Sequence, residues 1–165
     1  SIYKHSDVNA KNFSSGARYP ALLQLLRTAE TLWNASRIFF DRWNLSPSQF
    51  NVLNLLHLNP EGCTQIELSR QLIMHRSNVT GLVDRLEARR LVERRENPAD
   101  RRAWRVHLTA TGQKLVHEIL PHYYAAAEAA WGSIPGTRTR QLVEDLNQLS
   151  ANAERIAGIP HERDD

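Results

Sequence analysis

An arginine at the tip of a turn, with a carboxylate two residues before it, is a compact device for meeting a nucleic-acid backbone. The segment Asp100-Arg101-Arg102-Ala103-Trp104-Arg105-Val106-His107-Leu108-Thr109 has that arrangement. A guanidinium on a protruding tip is attracted by the negative potential of a narrow minor groove, and the carboxylate can orient it in advance. Asp100 is the expected orienter and Arg102 the groove probe, with Arg101 as the alternative probe or a phosphate contact. A second set lies upstream. Val79, Leu82, Val83 and Leu86 recur at helical spacing and define one apolar face, which leaves Ser77, Thr80, Gly81, Asp84 and Arg85 opposite. Small or hydrogen-bonding side chains of that kind fit against base edges and phosphates in a major groove.

The elements that must hold these two sets in place run from Thr64 to Gly112: a short helix, a turn, a longer helix, then two strands joined by an arginine-rich loop. That order predicts a winged helix-turn-helix in a mostly α chain with a small β-hairpin wing. Thr64-Gln65-Ile66-Glu67 is a capping box whose flanking apolar pair is Cys63 and Leu68, and it opens a helix to Leu72. The turn Ile73-Met74-His75 leads into the helix Arg76 to Arg89, with His75 as its cap. Leu91 to Glu96 and Trp104 to Leu108 form the hairpin. Upstream, Leu45-Ser46-Pro47-Ser48-Gln49-Phe50 is another capping box with proline at the first helical position, and that helix ends near Leu58. Thr109 caps a helix to Trp131, which Pro121 should kink. Long amphipathic helices from Pro20 to Arg42 and from Thr137 to Ile156 flank the whole. They carry more apolar surface than one small winged lobe needs, which predicts a helical dimer interface. The expected organisation is an arm over residues 1–19, a dimerisation helix over 20–44, a winged DNA-binding lobe over 45–109, dimerisation helices over 110–157 and a tail over 158–165.

Charge and composition narrow the function classes. Between Arg76 and Arg105 nine arginines stand against five acids, while the whole chain of 165 residues carries a formal charge of only +3. The positive charge is therefore concentrated in the proposed reading head. Cys63 is the single cysteine, so an internal disulfide framework and a multi-cysteine zinc site are excluded, and a small apolar contact is its expected role. His117 and His122 are about 140° apart around a helix, unlike a metal-binding pair at i, i+4, so no metal is expected. No G-x-S-x-G, P-loop or H-E-x-x-H motif is present, and neither an enzyme activity nor a cofactor is expected. No apolar run is long enough for a membrane span, and the chain reads as cytoplasmic.

The wing segment resembles the signature of the MarR family of transcriptional regulators, D-x-R followed by a strand ending in Leu108-Thr109 and then Gly112. Leu86-Glu87 with Leu91-Val92-Glu93-Arg94, and the Leu45 to Phe50 box, resemble further family motifs, so the likeness covers about Pro20 to Ile156. It implies an obligate homodimer with a helical dimerisation region, two winged lobes and a pseudo-palindromic duplex operator, with repression expected ahead of activation. It also implies that Ser77, Asn78, Thr80, Gly81 and Arg85 lie at the major-groove surface, with Arg76 near phosphates. The family usually has glycine where this chain has Arg90, so a left-handed backbone there would be strained. Members commonly respond to a small aromatic or phenolic effector. Trp33, Phe40, Trp43, His57, His117 and Tyr124 are the candidates to line its pocket. The alternative function is a dimeric basic module that binds nucleic acid nonspecifically or a protein partner.

Overall fold

Side-chain caps decide where three of the helices begin. Ser46 Oγ accepts the Gln49 N–H at 3.1 Å while Gln49 Oε1 accepts the Ser46 N–H at 2.9 Å, opening α2 (Pro47–Leu58). Thr64 and Glu67 make the same reciprocal pair at the start of α3 (Gln65–Gln71). Thr109 Oγ1 accepts the Gly112 N–H at 3.0 Å in the first turn of α5 (Ala110–Trp131). Each box satisfies donors that a helix start leaves orphaned and contributes about 1 kcal/mol.

The computed structural model describes residues 16–72, 78–100 and 102–158. Besides those three helices it contains α1 (Arg18–Asp41), α4 (Val79–Ala88), α6 (Gly136–Ala157) and three strands, β1 (Cys63–Thr64), β2 (Val92–Glu96) and β3 (Trp104–Leu108). The turn Ile73-Met74-His75, the proposed cap His75 and the helix start at Arg76 and Ser77 lie outside the described residues, as does most of the predicted arm. α5 continues through Pro121 as one helix.

The chain divides into two compact units, residues 1–116 and 117–165. In the first, α2 supplies Phe50, Val52, Leu53 and Leu56 to a core that also takes Phe40 from α1, Leu68 from α3 and the four apolar residues of α4. Burying each such side chain contributes about 1.5–3 kcal/mol. The sheet order is β1-β3-β2, all antiparallel, with Val92 opposite Leu108 and Glu96 opposite Trp104. β1 was not expected. Cys63 pairs with Val106 and Thr64 with Arg105, so the residues that lead into the α3 capping box and begin it also form a short strand. In the second unit, α6 buries none of its residues; Leu142, Leu149 and Ile156 are exposed in the single chain.

Two left-handed turns at non-glycine residues punctuate the first unit. At Asn44 (φ 52°) the Asn44 N–H reaches the Asp41 carbonyl and the Leu45 N–H the Phe40 carbonyl. At Arg90 (φ 57°) the same pair recurs, from Arg90 to Glu87 and from Leu91 to Leu86. Both are Schellman closures, with the accompanying apolar contact made by buried Phe40 and Leu45 in one case and Leu86 and Leu91 in the other. Asparagine tolerates this conformation; arginine pays about 1–2 kcal/mol for it. The strain expected at Arg90 is thus present, and bonds around the turn hold it. Thr109 Oγ1 donates to the Arg90 carbonyl at 2.7 Å, and the Thr109 N–H to the Leu91 carbonyl at 3.1 Å. Gly112 packs so tightly there that a Cβ would lie 2.0 Å from the Leu91 carbonyl oxygen.

Arg90→Gly should therefore raise stability by about 1 kcal/mol, and Gly112→Ala should lower it by about 1–3 kcal/mol. Urea unfolding of the two variants beside the parent chain measures both signs.

Candidate nucleic-acid interface

α4 is amphipathic in the sense its spacing predicts. Val79, Leu82, Val83 and Leu86 are buried, while Thr80, Asp84 and Arg85 are exposed and Gly81 is half-buried. Asn78 precedes the helix and makes no side-chain cap bond. A Cβ on Gly81 would meet Asn78 Oδ1 at 2.5 Å and Arg85 Nη1 at 3.3 Å, so these two side chains flank a bare stretch of helix backbone. Thr80 Oγ1 faces Gln65 Oε1 on α3 at 3.4 Å, which brings Gln65 to the same face. Arg76 and Ser77 lie outside the described residues.

The wing tip is built from two successive turns. Asn97 Oδ1 accepts the Ala99 N–H at 3.2 Å, its carbonyl accepts the Asp100 N–H, and the Asp100 carbonyl accepts the Ala103 N–H. Pro98 sits at the corner that its fixed φ favours. Asp100 Oδ1 accepts the backbone N–H of Arg102 at 2.9 Å. The carboxylate thus fixes the Arg102 backbone, where the sequence had suggested a grip on its guanidinium. Arg102 is exposed, and Arg101 lies outside the described residues. Beside this tip stands Trp104, a large side chain 53% exposed on the strand.

The basic segment is less free than its composition implies. Arg89 donates to the carbonyls of Asn44 at 2.5 Å and Trp43 at 3.1 Å, tying the end of α4 to the α1–α2 turn. Arg94 pairs with Asp84 and Glu87 on α4. Arg95 pairs with Glu93, and Arg105 donates to the carbonyls of Glu61 and Gly62. Arg95 and Arg105 are direct cross-strand neighbours, a like-charge pairing relieved because each turns to its own acceptor. Of the nine arginines counted in sequence, this leaves Arg85, Arg90 and Arg102 exposed and without a side-chain bond among the described residues.

The proposed effector-pocket residues are not gathered in one place within the first unit. Phe40 is buried with its ring stacked on Phe50 at 4.4 Å, so it is a core residue. Trp43 lies against Phe39 and under the Arg42 guanidinium. His57 Nδ1 and Gln113 Nε2 are 2.9 Å apart. Trp33 alone of these lines an open groove of about 910 Å³ between α1 and the start of α2, with Arg37, Asp41, Asn44 and Ser46 among its other walls. His117 and Tyr124 belong to the second unit, where both are exposed. Among the described residues no cluster of three metal-ligating side chains occurs, and no helix is long and apolar enough to cross a membrane.

A family model described as MarR family matches residues 43–103, from the end of the α1 turn to the tip of the wing. Over that segment the chain resembles the MarR family. Transcriptional repressor MprA of Escherichia coli is 32% identical over 90 residues, 54% of this chain and 51% of MprA, so the chain spans about half the length of that curated relative. A MarR-family transcriptional regulator from Rhodococcus sp. RHA1 superposes with a TM-score of 0.72 at 26% identity, covering 82% of this chain and 96% of that one. CouR from Rhodococcus jostii RHA1, solved bound to p-coumaroyl-CoA, gives 0.70 at 28% identity over 76% and 88% of the two chains. The six helices and three-stranded sheet are thus a MarR-type winged-helix fold.

Two titratable groups beneath the wing are displaced from their ordinary values. Burial first, then the neighbouring Glu67 carboxylate, pushes the Cys63 thiol up, so Cys63 is a buried thiol rather than a thiolate. Burial and then Arg95 push His107 below its ordinary 6.5, against an opposing pull from the Pro60 backbone. Since the unfolded chain takes up that proton more readily, His107 should cost stability as pH falls below about 6.5 and through its folded value. Urea unfolding between pH 7.5 and 5.5 should show that decline, and His107→Gln should flatten it.

Proposed function

We propose that the protein is a homodimeric, sequence-specific transcriptional regulator that binds a pseudo-palindromic duplex operator and acts mainly as a repressor. The observation that carries this reading is the pairing of the exposed polar face of α4 with the exposed Arg102 tip on one compact unit. A helix of that kind enters a major groove, and a tip arginine reaches the adjacent minor groove. Asn78, Thr80, Gly81 and Arg85 are assigned to base edges and nearby phosphates, with Arg76 and Ser77 leading into that helix; Asp100, Arg101 and Arg102 are assigned to the wing contact.

Dimerisation is supported by apolar rows that the single chain leaves uncovered, Leu22, Leu26 and Leu32 on α1 and Leu142, Leu149 and Ile156 on α6. A second copy supplies a matching surface by symmetry, and two reading heads then meet two half-sites. We further propose that a small aromatic or phenolic molecule releases the DNA. The α1–α2 groove beside Trp33 and Arg37 offers an aromatic wall and a cation for such a ligand. Its relative CouR binds a coumaroyl thioester.

Selection of bound duplexes from a random pool at near-physiological salt tests this function. An inverted repeat with half-site centres about one helical turn apart is the expected product. An unstructured pool would instead favour a basic module of nonspecific affinity or with a protein partner. On the recovered operator, Arg102→Ala should weaken binding broadly and Asp100→Ala less so, because the probe remains but its backbone is less ordered. Thr80 and Arg85 variants should alter which bases are preferred.

A further inference from the structure

Arg94 lies on β2, yet its side chain is spent on α4. Nη2 donates to Asp84 Oδ1 at 2.5 Å, Nη1 donates to Glu87 Oε2, and the Arg94 backbone N–H donates to Glu87 Oε1 at 3.2 Å. Asp84 and Glu87 are three residues apart, so the guanidinium straddles one turn of the helix. The fork also retains its charge. Burial disfavours it, but hydrogen bonding and attraction from Asp84 and Glu87 outweigh that penalty and the net displacement is upward.

Three bonds from two acids, one of them to the strand backbone, fix α4 against β2 both along and around the helix axis. β2 continues from Arg94 to Glu96, which pairs with Trp104, two residues from Arg102. We propose that Arg94 is a positioning residue: it touches no DNA, but holds the helix and the tip at the one angle that lets a duplex meet both. This rests on the DNA-reading function above. Two contacts on a rigid body reinforce each other, since the second follows the first without a further search; a pivoting wing forfeits that advantage although no contact has been removed.

The test uses the full chain, the operator recovered by pool selection and a random duplex of equal length, with affinity measured across a range of KCl. Arg94→Met should weaken operator binding about tenfold or more and leave random-duplex binding nearly unchanged. Its slope of log affinity against log salt should match the parent; a slope smaller by about 0.9 for each arginine removed would put Arg94 on a phosphate and overturn the proposal. The second readout is a double-mutant cycle. Arg102→Ala should cost at least about threefold less in the Arg94→Met background than in the parent. Additive effects would show that Arg94 and Arg102 act independently, which contradicts a positioning role. Circular dichroism checks folding, and if Arg94→Met does not fold, Arg94→Lys carries the same comparison, because a lysine keeps the charge and loses the fork. Parent-like operator affinity and full coupling in Arg94→Lys would also overturn the proposal. If the parent itself fails to distinguish operator from random duplex, the DNA-reading premise falls with it; if the parent discriminates and the cycle is additive, the Arg94 role falls alone.

Discussion

The carbonyl of Leu91 is the point at which α4, the wing and α5 meet. Leu91 donates its N–H back to Leu86 to close α4, receives the Thr109 N–H that follows β3, and leaves space for α5 only because Gly112 has no side chain. The turn is bought with a strained Arg90, and that strain persists because Thr109 also donates to the Arg90 carbonyl. One residue earlier, Arg89 binds the carbonyls of Trp43 and Asn44, so the end of α4 is tied to the left-handed turn at Asn44. The helix that presents the polar face is thus anchored at its C-terminal end from three directions.

The arginines illustrate why charge in a sequence overstates charge available to a ligand. Arg89, Arg94 and Arg105 each end on acceptors within the protein, and Arg95 on its near neighbour Glu93. What remains for a polyanion is a small set at the places geometry selects, the outer face of α4 and the wing tip. A few well-placed cations on a rigid frame discriminate better than a diffuse basic surface, because salt-dependent attraction alone carries no sequence information.

Much of the fold was legible because its punctuation is local. The Ser46 and Thr64 boxes and Pro47 set helix limits through side chains within three residues of the backbone they satisfy. The periodic apolar positions of α4 were equally plain, since one period decides which face is buried. What escaped depends on distant partners. β1 exists because Cys63 meets Val106, more than forty residues on by the numbering, and two residues have no strand pattern of their own. Asp100 sits where expected, but whether it holds a guanidinium or a backbone amide is decided by the turn, not by the spacing. Phe40 looked like a pocket aromatic because helical spacing cannot distinguish a ring in a groove from one stacked on Phe50. Arg94 stands in a family-like motif, but neither that nor its charge says that it bonds Asp84 and Glu87 on the preceding helix.

The central claim is that one rigid unit presses α4 into a major groove and Arg102 into the neighbouring minor groove at the same time. Chemical footprinting of the parent chain on a selected operator reads both contacts: methylation of guanine N7 reports the major groove, and hydroxyl-radical cleavage the minor groove. The account predicts, in each half-site, a protected major-groove segment flanked by a protected minor-groove segment, with the latter lost in Arg102→Ala. Protection confined to the major groove in the parent chain, or minor-groove protection that survives Arg102→Ala, would contradict it.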